Sequence, residues 1–156
     1  MKRLIFTLFI ISSTLLLSSC SIFCDFVVIN NSNNFLDIQY ERKSNELGKG
    51  LQYLYLDDLK KGKNEWKELP QDRFEFDQKN STIKVRLAPN EVFRVEGMDV
   101  FYVNKQPDEH FGLKSLSLVG RSGSIKYEGN QVFENFKPEG WDWFTRNATI
   151  YTITYK

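Results

Sequence analysis

The chain has 156 residues, of which 41% are hydrophobic and 15% aromatic, and its formal net charge at pH 7 is +1. This balance of charges excludes the electrostatic attraction on which nucleic-acid-binding and polybasic membrane-binding proteins depend. Ala88 and Ala148 are the only alanines. Scarce alanine and plentiful aromatic residues favour strands over helices.

The first 19 residues have the pattern of a secretory signal. Lys2 and Arg3 form a basic head, residues 4–17 are uncharged and mostly apolar, and two serines separate them from Cys20. The apolar stretch is shorter than the roughly 20 residues that a membrane-spanning helix needs. We therefore interpret residues 1–19 as a cleaved signal peptide.

The junction Leu17-Ser18-Ser19-Cys20 resembles the lipobox of bacterial lipoproteins. The resemblance implies that diacylglycerol alkylates the Cys20 sulfur, that the signal is removed and that the new N-terminus is acylated. This covalent lipid is the only attached group we expect, with no other cofactor. Two or more acyl chains hold a protein stably at a membrane without spanning it. Ser21, where an Asp would retain the protein at the inner membrane, favours the outer membrane if the source is a diderm bacterium. An ordinary secreted cysteine is the alternative.

Residues 20–156 carry 21 − 2 = 19 basic and 20 acidic side chains, so the mature chain has a formal charge of −1 and no expected affinity for nucleic acid. We predict a lipidated N-terminus and short tether over residues 20–24 and one domain over residues 25–156. A lipidated Cys20 leaves Cys24 without an intrachain partner. We expect a shielded thiol, or else an intermolecular disulfide.

Alternating and β-branched runs predict most of the secondary structure. The predicted strands cover residues 25–29, 36–40, 51–56, the surroundings of Trp66, and residues 74–76, 82–87, 92–95, 100–103, 115–119, 125–127 and 149–155. Turn residues at 30–34 and 120–123 predict two hairpins. The helical spacing of Val132, Phe133 and Phe136 predicts one short helix.

Many short strands with turns rich in Gly, Asn and Pro between them, and at most one short helix, indicate an all-β fold. We predict a single antiparallel β-sandwich, Ig-like or related, of about eight strands that follows the cleaved signal.

Candidate catalytic residues are few. His110 is the only histidine, and we expect a solvated loop side chain rather than a metal ligand, because a metal would need further ligands from elsewhere. Two carboxylate pairs, Asp57 with Asp58 and Glu139 with Asp142, could in principle serve a glycosidase. No nucleophile or phosphate-loop motif occurs. We therefore expect no metal site and no enzymatic activity.

The aromatic cluster Trp141, Trp143 and Phe144 is the best candidate for binding. Such rings can fill a core, form the hot spot of a protein interface or stack on sugars. We expect a non-catalytic protein-binding or structural module, anchored to the membrane by lipid, with an envelope protein as partner. One alternative is an inhibitor or immunity lipoprotein that blocks a hydrolase or toxin through a loop at residues 104–111. The other is a carbohydrate-binding envelope protein.

Overall fold

The computed structural model describes residues 23–44, 50–63, 65–99, 102–103, 107–139 and 148–156. Its strands are β1 (Phe23–Asn30), β2 (Leu36–Arg42), β3 (Gln52–Tyr55), β4 (Lys67–Glu68), β5 (Phe74–Asp77), β6 (Thr82–Leu87), β7 (Glu91–Asp99), β8 (Leu113–Gly120), β9 (Gly123–Glu128), β10 (Lys137–Pro138) and β11 (Ala148–Tyr155). Its short helices are α1 (Leu56–Lys60), α2 (Pro107–His110) and α3 (Asn130–Glu134), with a 3-10 turn at Gln71–Arg73.

The strands form two sheets, which confirms the all-β sandwich. Sheet A has the order β10-β11-β1-β7-β3-β4, and sheet B has the order β5-β6-β2-β8-β9. One pair departs from the predicted antiparallel arrangement, because β1 and β11 run parallel, with Phe23 opposite Ala148 and Asn30 opposite Tyr155. The described strands also exceed the predicted eight, partly because β4 and β10 are two-residue strands at the edges of sheet A.

The main core lies between the two sheets. Alternate residues of β1, β2 and β7 point into it, so that the rings of Tyr40 and Phe93 meet across the interface with centroids 6.1 Å apart. The same alternation buries every second side chain of β6 and, from Leu116 to Leu118, of β8, and leaves those between them exposed or half-buried. These are the strands whose period of two is clearest in the sequence.

A second apolar cluster covers the outer face of sheet A. It consists of Val27, Ile29, Leu54, Leu56, Leu59, Val92 and Ile150, with Trp66 packed against it. Leu56 and Leu59 come from α1, so this helix packs on the outer face of the sheet. Strand β1 is therefore buried on both faces, which explains its continuous apolar run.

The predicted hairpin of β1 and β2 is wrong. The loop between them crosses from sheet A to sheet B, where β2 pairs with β6 and β8. Asn30 holds this crossing: its buried amide donates to the carbonyl oxygens of Asn34, at 2.8 Å, and of Leu87, at 3.1 Å. The asparagine-rich run is thus a connection between sheets rather than a tight turn within one sheet.

The turn between β6 and β7 also crosses between the sheets. Glu91, at the start of β7, is buried, and its carboxylate accepts hydrogen bonds from Arg73 Nη1 at 3.1 Å and from the backbone N–H of Ala88 at 2.9 Å. Asn90 adopts a positive φ of 59° in this turn. The buried Glu91 carboxylate thus ties this turn to the 3-10 turn at Gln71–Arg73.

Three further boundaries differ from the sequence expectation. Strand β7 continues to Asp99. Residues 102–103 are helical rather than part of the strand predicted over residues 100–103, and residues 100 and 101 lie outside the described part. The strand predicted over residues 51–56 ends at Tyr55, where α1 begins, so the prediction of at most one helix is wrong. Strand β1 begins at Phe23, inside the segment predicted as a tether.

Several predictions of local structure are confirmed. The β8–β9 hairpin, with Gly120 opposite Gly123, lies where the turn at residues 120–123 predicted it. Helix α3 and strand β11 also form at the predicted places. Turn residues located the hairpin, whereas apolar residues that are buried in the fold, such as Val132 and Ile153, located α3 and β11.

Candidate functional site

Three neighbouring strands of sheet A begin or end at one end of the sandwich, which we call its N-terminal end. Phe23 begins β1 there, with Asp99 of β7 on one side and Ala148 of β11 on the other. The Phe23 side chain is 53% exposed. Because Phe23 follows Cys20 by three residues, the predicted lipid attachment is tied to this end of the fold.

Aromatic rings fill the core behind the N-terminal end. Phe26 stacks on Tyr151 with centroids 5.0 Å apart and contacts Phe111 edge-on at 4.9 Å. Phe136, which follows α3, meets the same ring at 5.4 Å and Phe133 lies at 5.7 Å. Aromatic pairs in these geometries stabilise a fold beyond the area they bury. The cluster therefore fixes α3 and the start of β8 against β1.

Cys24 is a fully buried free thiol. Burial, together with the nearby charges of Asp25 and Asp99, raises the pKa of this thiol to about 11. A thiol that stays protonated at neutral pH is a poor nucleophile and metal ligand. The structure therefore shows a shielded thiol, and the core of the sandwich provides the shielding.

Asp25 forms an ion pair that sequence reasoning missed. Its carboxylate lies on the outer face of sheet A, 2.7 Å from Arg94 Nη2, and Arg94 Nη1 donates to Gln52 Oε1 at 3.1 Å. Burial raises the pKa of Asp25 above its usual value, and the Arg94 guanidinium opposes that rise. The sequence did contain a signal for this ion pair, namely an aspartate at the start of a β-branched and aromatic run. A charge in such a run requires a partner when it is buried.

Three of the four candidate carboxylates lie in the described part of the chain. Asp57 and Asp58 lie in the first turn of α1, where the positive end of the helix dipole favours acidic side chains, and Asp58 also pairs with Lys63 at 3.4 Å. Glu139 accepts a hydrogen bond from Thr152 Oγ1 at 3.0 Å. Its proposed partner, Asp142, lies outside the described residues.

His110 is exposed, and its ring lies 3.9 Å from the ring of Tyr102, centroid to centroid. Within the described ranges, no three His, Cys, Asp or Glu side chains come together in a way that would hold a metal ion. Phe111, the last residue of the loop proposed for inhibition, is buried in the core, and residues 107–110 are helical. Phe111 is thus unavailable for insertion into a partner.

The remaining predicted site residues are Cys20, Trp141, Trp143 and Phe144, and all four lie outside the described residues. Along the chain, the three aromatic residues stand between β10 and β11. Their assignment to core, interface or sugar-binding surface therefore stays a prediction.

Strand β9 offers the longest edge among the described strands. It is the outer strand of sheet B, six residues long, and five of its six residues are exposed. Ser122 Oγ donates to the hydroxyl of Tyr155, which itself donates to the carbonyl oxygen of Gly123 at 2.8 Å. These contacts hold the β8–β9 hairpin to the end of β11, so the edge is held in place before any partner binds.

The outer face of sheet B is open and polar. A shallow depression of about 500 Å³ crosses it, lined by residues that include Asp37, Gln39, Lys84, Arg86 and Ser117. Both signs of charge are present, and Lys84 pairs with Glu75 at 3.6 Å. The depression therefore has no charge preference that would point to an anionic or a cationic ligand.

Comparison with known proteins gave no match to this chain, whether to protein-family models, to curated protein sequences or to solved structures. In the part of the chain that the structure describes, no helix has the length and apolar character needed to cross a bilayer.

Proposed function

We propose that this chain is a lipid-anchored protein of the cell envelope that acts as a non-catalytic, protein-binding module. Residues 1–20, with their basic head, apolar stretch and lipobox-like junction, carry the proposal. The folded part supports it, because β1 starts at Phe23, three positions after the predicted lipidated cysteine. The buried, protonated thiol of Cys24 is consistent with a chain that has a binding rather than a chemical role.

The two cysteines provide a matched pair for testing the anchor. We expect that bacteria fed labelled palmitate incorporate the label into the wild-type chain and into Cys24→Ala, and that both fractionate with membranes. Cys20→Ser should carry no label, and it should either be released or retain its signal peptide. Equal labelling of Cys20→Ser would overturn the anchor, because the acyl chains would then be attached elsewhere.

The free edge of β9 is the proposed contact for the protein partner. An added strand satisfies the unpaired backbone groups of an edge strand, and exposed side chains supply specificity. Ile125 is 39% exposed on this strand and Tyr127 is half-buried beside it, so a partner strand would find apolar surface next to the backbone. The other edge strands are shorter, since β5 has four residues and β4 and β10 have two each, and β10 contains Pro138.

A photo-crosslinking amino acid placed at Lys126 tests this edge. Glu75 on β5, the opposite edge of the same sheet, is the matched control because its side chain is also exposed. In the native envelope we expect one discrete, anchor-dependent crosslinked protein from position 126 and none from position 75. The same species from both positions, or none from either, would contradict binding at β9.

A further inference from the structure

We propose that the N-terminal end of the sandwich lies in the headgroup layer of the bilayer, with Phe23 and Tyr102 as its membrane-contacting side chains. The inference rests on the proposed lipid anchor at Cys20, and it adds an orientation and a second, non-covalent contact with lipid.

The length of the connection brings this end to the membrane. Phe23 lies three positions after Cys20, and a fully extended chain covers at most about 3.5 Å per residue, so the two Cα atoms are at most about 10 Å apart. The headgroup layer on each side of a bilayer is roughly 5–8 Å thick. A domain attached so closely cannot stand clear of the lipid surface.

The exposed side chains at this end suit that layer. Phe23 is 53% exposed at the start of β1. Asp99 lies opposite Phe23, and Tyr102, which is 37% exposed, follows Asp99 by three residues. Aromatic side chains collect at membrane–water interfaces, and tyrosine is favoured because its hydroxyl stays hydrated. Lipid is thus a chemically fitting occupant for a surface that would otherwise expose aromatic rings to water.

Two basic residues near this end form ion pairs with acidic residues. Arg42 meets Glu96 at 4.0 Å, and Lys114 meets Glu41 at 2.7 Å, on strands that reach the same end of the sandwich. The pairing offsets the positive charge of these two basic side chains, which reduces their attraction to anionic lipid. We therefore expect the contact to depend on the aromatic side chains and to be similar on zwitterionic and anionic membranes.

Spin labels at two matched phenylalanines test the orientation. Phe35 is 52% exposed, nearly the same as Phe23, and it follows Asn30, which ends β1 about 23 Å away at the usual rise per strand residue. Phe23→Cys and Phe35→Cys are each labelled with a nitroxide in the lipidated protein. Cys24 does not compete for the label, because its side chain is fully buried and burial raises the pKa of its thiol. The labelled proteins are bound to phosphatidylcholine vesicles with and without phosphatidylglycerol.

We expect the label at position 23 to lose most of its collisions with a water-soluble nickel complex and to keep its collisions with oxygen, in both kinds of vesicle. The label at position 35 should collide freely with the nickel complex. Equal access at both positions in vesicle-bound protein would overturn the orientation and leave the anchor intact. Protein that carries no lipid and does not bind the vesicles would overturn the anchor and the orientation together.

Discussion

The guanidinium of Arg94 reaches the carboxylate of Asp25 at 2.7 Å because Gly97 has no side chain. A Cβ added to Gly97 would lie 2.6 Å from Arg94 Nη2, in the space that the guanidinium occupies. The glycine therefore supports a polar contact on a face of sheet A that is otherwise largely apolar. An ion pair with little access to water requires both partners, since removing one leaves a charge that lacks solvation.

The pH dependence of stability should reveal the burial of Asp25. Burial raises the folded-state pKa of this carboxyl above 3.8, its value in the unfolded chain, so the folded state holds the proton more tightly. Its contribution to the free energy of unfolding is greatest below pH 3.8 and is lost as the pH rises through the folded-state pKa. Asp25→Asn removes this dependence. Denaturant titrations should show that the free energy of unfolding of the wild type, relative to that of the variant, falls as the pH rises. A constant or rising difference would contradict the assignment.

Removal of the counterion should be more harmful at neutral than at acidic pH. We expect Arg94→Met to lower the free energy of unfolding at pH 7 by about 1–3 kcal/mol, because the Asp25 carboxylate would lose its charged donor. Below pH 3.8 the carboxyl is neutral and the loss should shrink. The double variant Asp25→Asn/Arg94→Met should regain part of the loss at neutral pH. Strictly additive effects would show that the two side chains do not interact.

Gly97→Ala should also weaken the ion pair between Asp25 and Arg94. The new methyl group would displace the Arg94 guanidinium, and we expect a loss of about 1 kcal/mol at neutral pH. Gly50→Ala is the matched control, since its nearest atom would be Glu68 Oε1 at 3.8 Å, an ordinary contact. Thermal unfolding of both variants measures the contrast. A Gly97→Ala protein as stable as Gly50→Ala would show that Arg94 has another route to Asp25.

Cys24 should be unreactive until the domain unfolds. In a Cys20→Ser background it is the only remaining cysteine, so thiol labelling reports on it alone. We expect no labelling by a maleimide in the native protein and complete labelling in denaturant, because the thiol is buried and its pKa is raised to about 11. Rapid native labelling, or a disulfide-linked dimer on a non-reducing gel, would contradict the buried position.

The aromatic cluster should dominate the stability of the N-terminal end. We expect Phe26→Ala to cost about 3–5 kcal/mol, because the truncation leaves a cavity among Phe111, Phe136 and Tyr151. Phe35→Ala removes the same atoms from an exposed site, where the ring lies 4.8 Å from the Arg86 guanidinium, and should cost about 1 kcal/mol or less. Urea denaturation of the two variants provides the comparison. Similar costs would mean that the cluster around Phe26 repacks.

The sequence located most of the strands, and it failed to predict how the apolar run of β1 pairs. In β2, with Ile38 and Tyr40 inward, alternation located the strand correctly. Strand β1 gave a continuous apolar run, because Val27 and Ile29 pack under α1 on the outer side. A run without alternation contains no information about pairing, so a hairpin with β2 was the natural but wrong inference.

The candidate site was less predictable than the fold. The Asp25–Arg94 pair joins residues that lie 94 − 25 = 69 positions apart in the sequence. The pair depends on the register of β1 against β7. That register shifts between Phe26 and Val27, a local irregularity that no periodicity reports. The edge position of β9 was equally unpredictable from the sequence, because an alternating strand has the same pattern at the centre of a sheet and at its edge.

The mass of the mature N-terminus tests the proposed anchor most directly. The protein is purified from the envelope of its native host and its N-terminal peptide is analysed by mass spectrometry. We expect a chain that begins at Cys20, with diacylglycerol on the sulfur and an acyl group on the amine. A chain that retains residues 1–19, or one with an unmodified Cys20, would contradict the account.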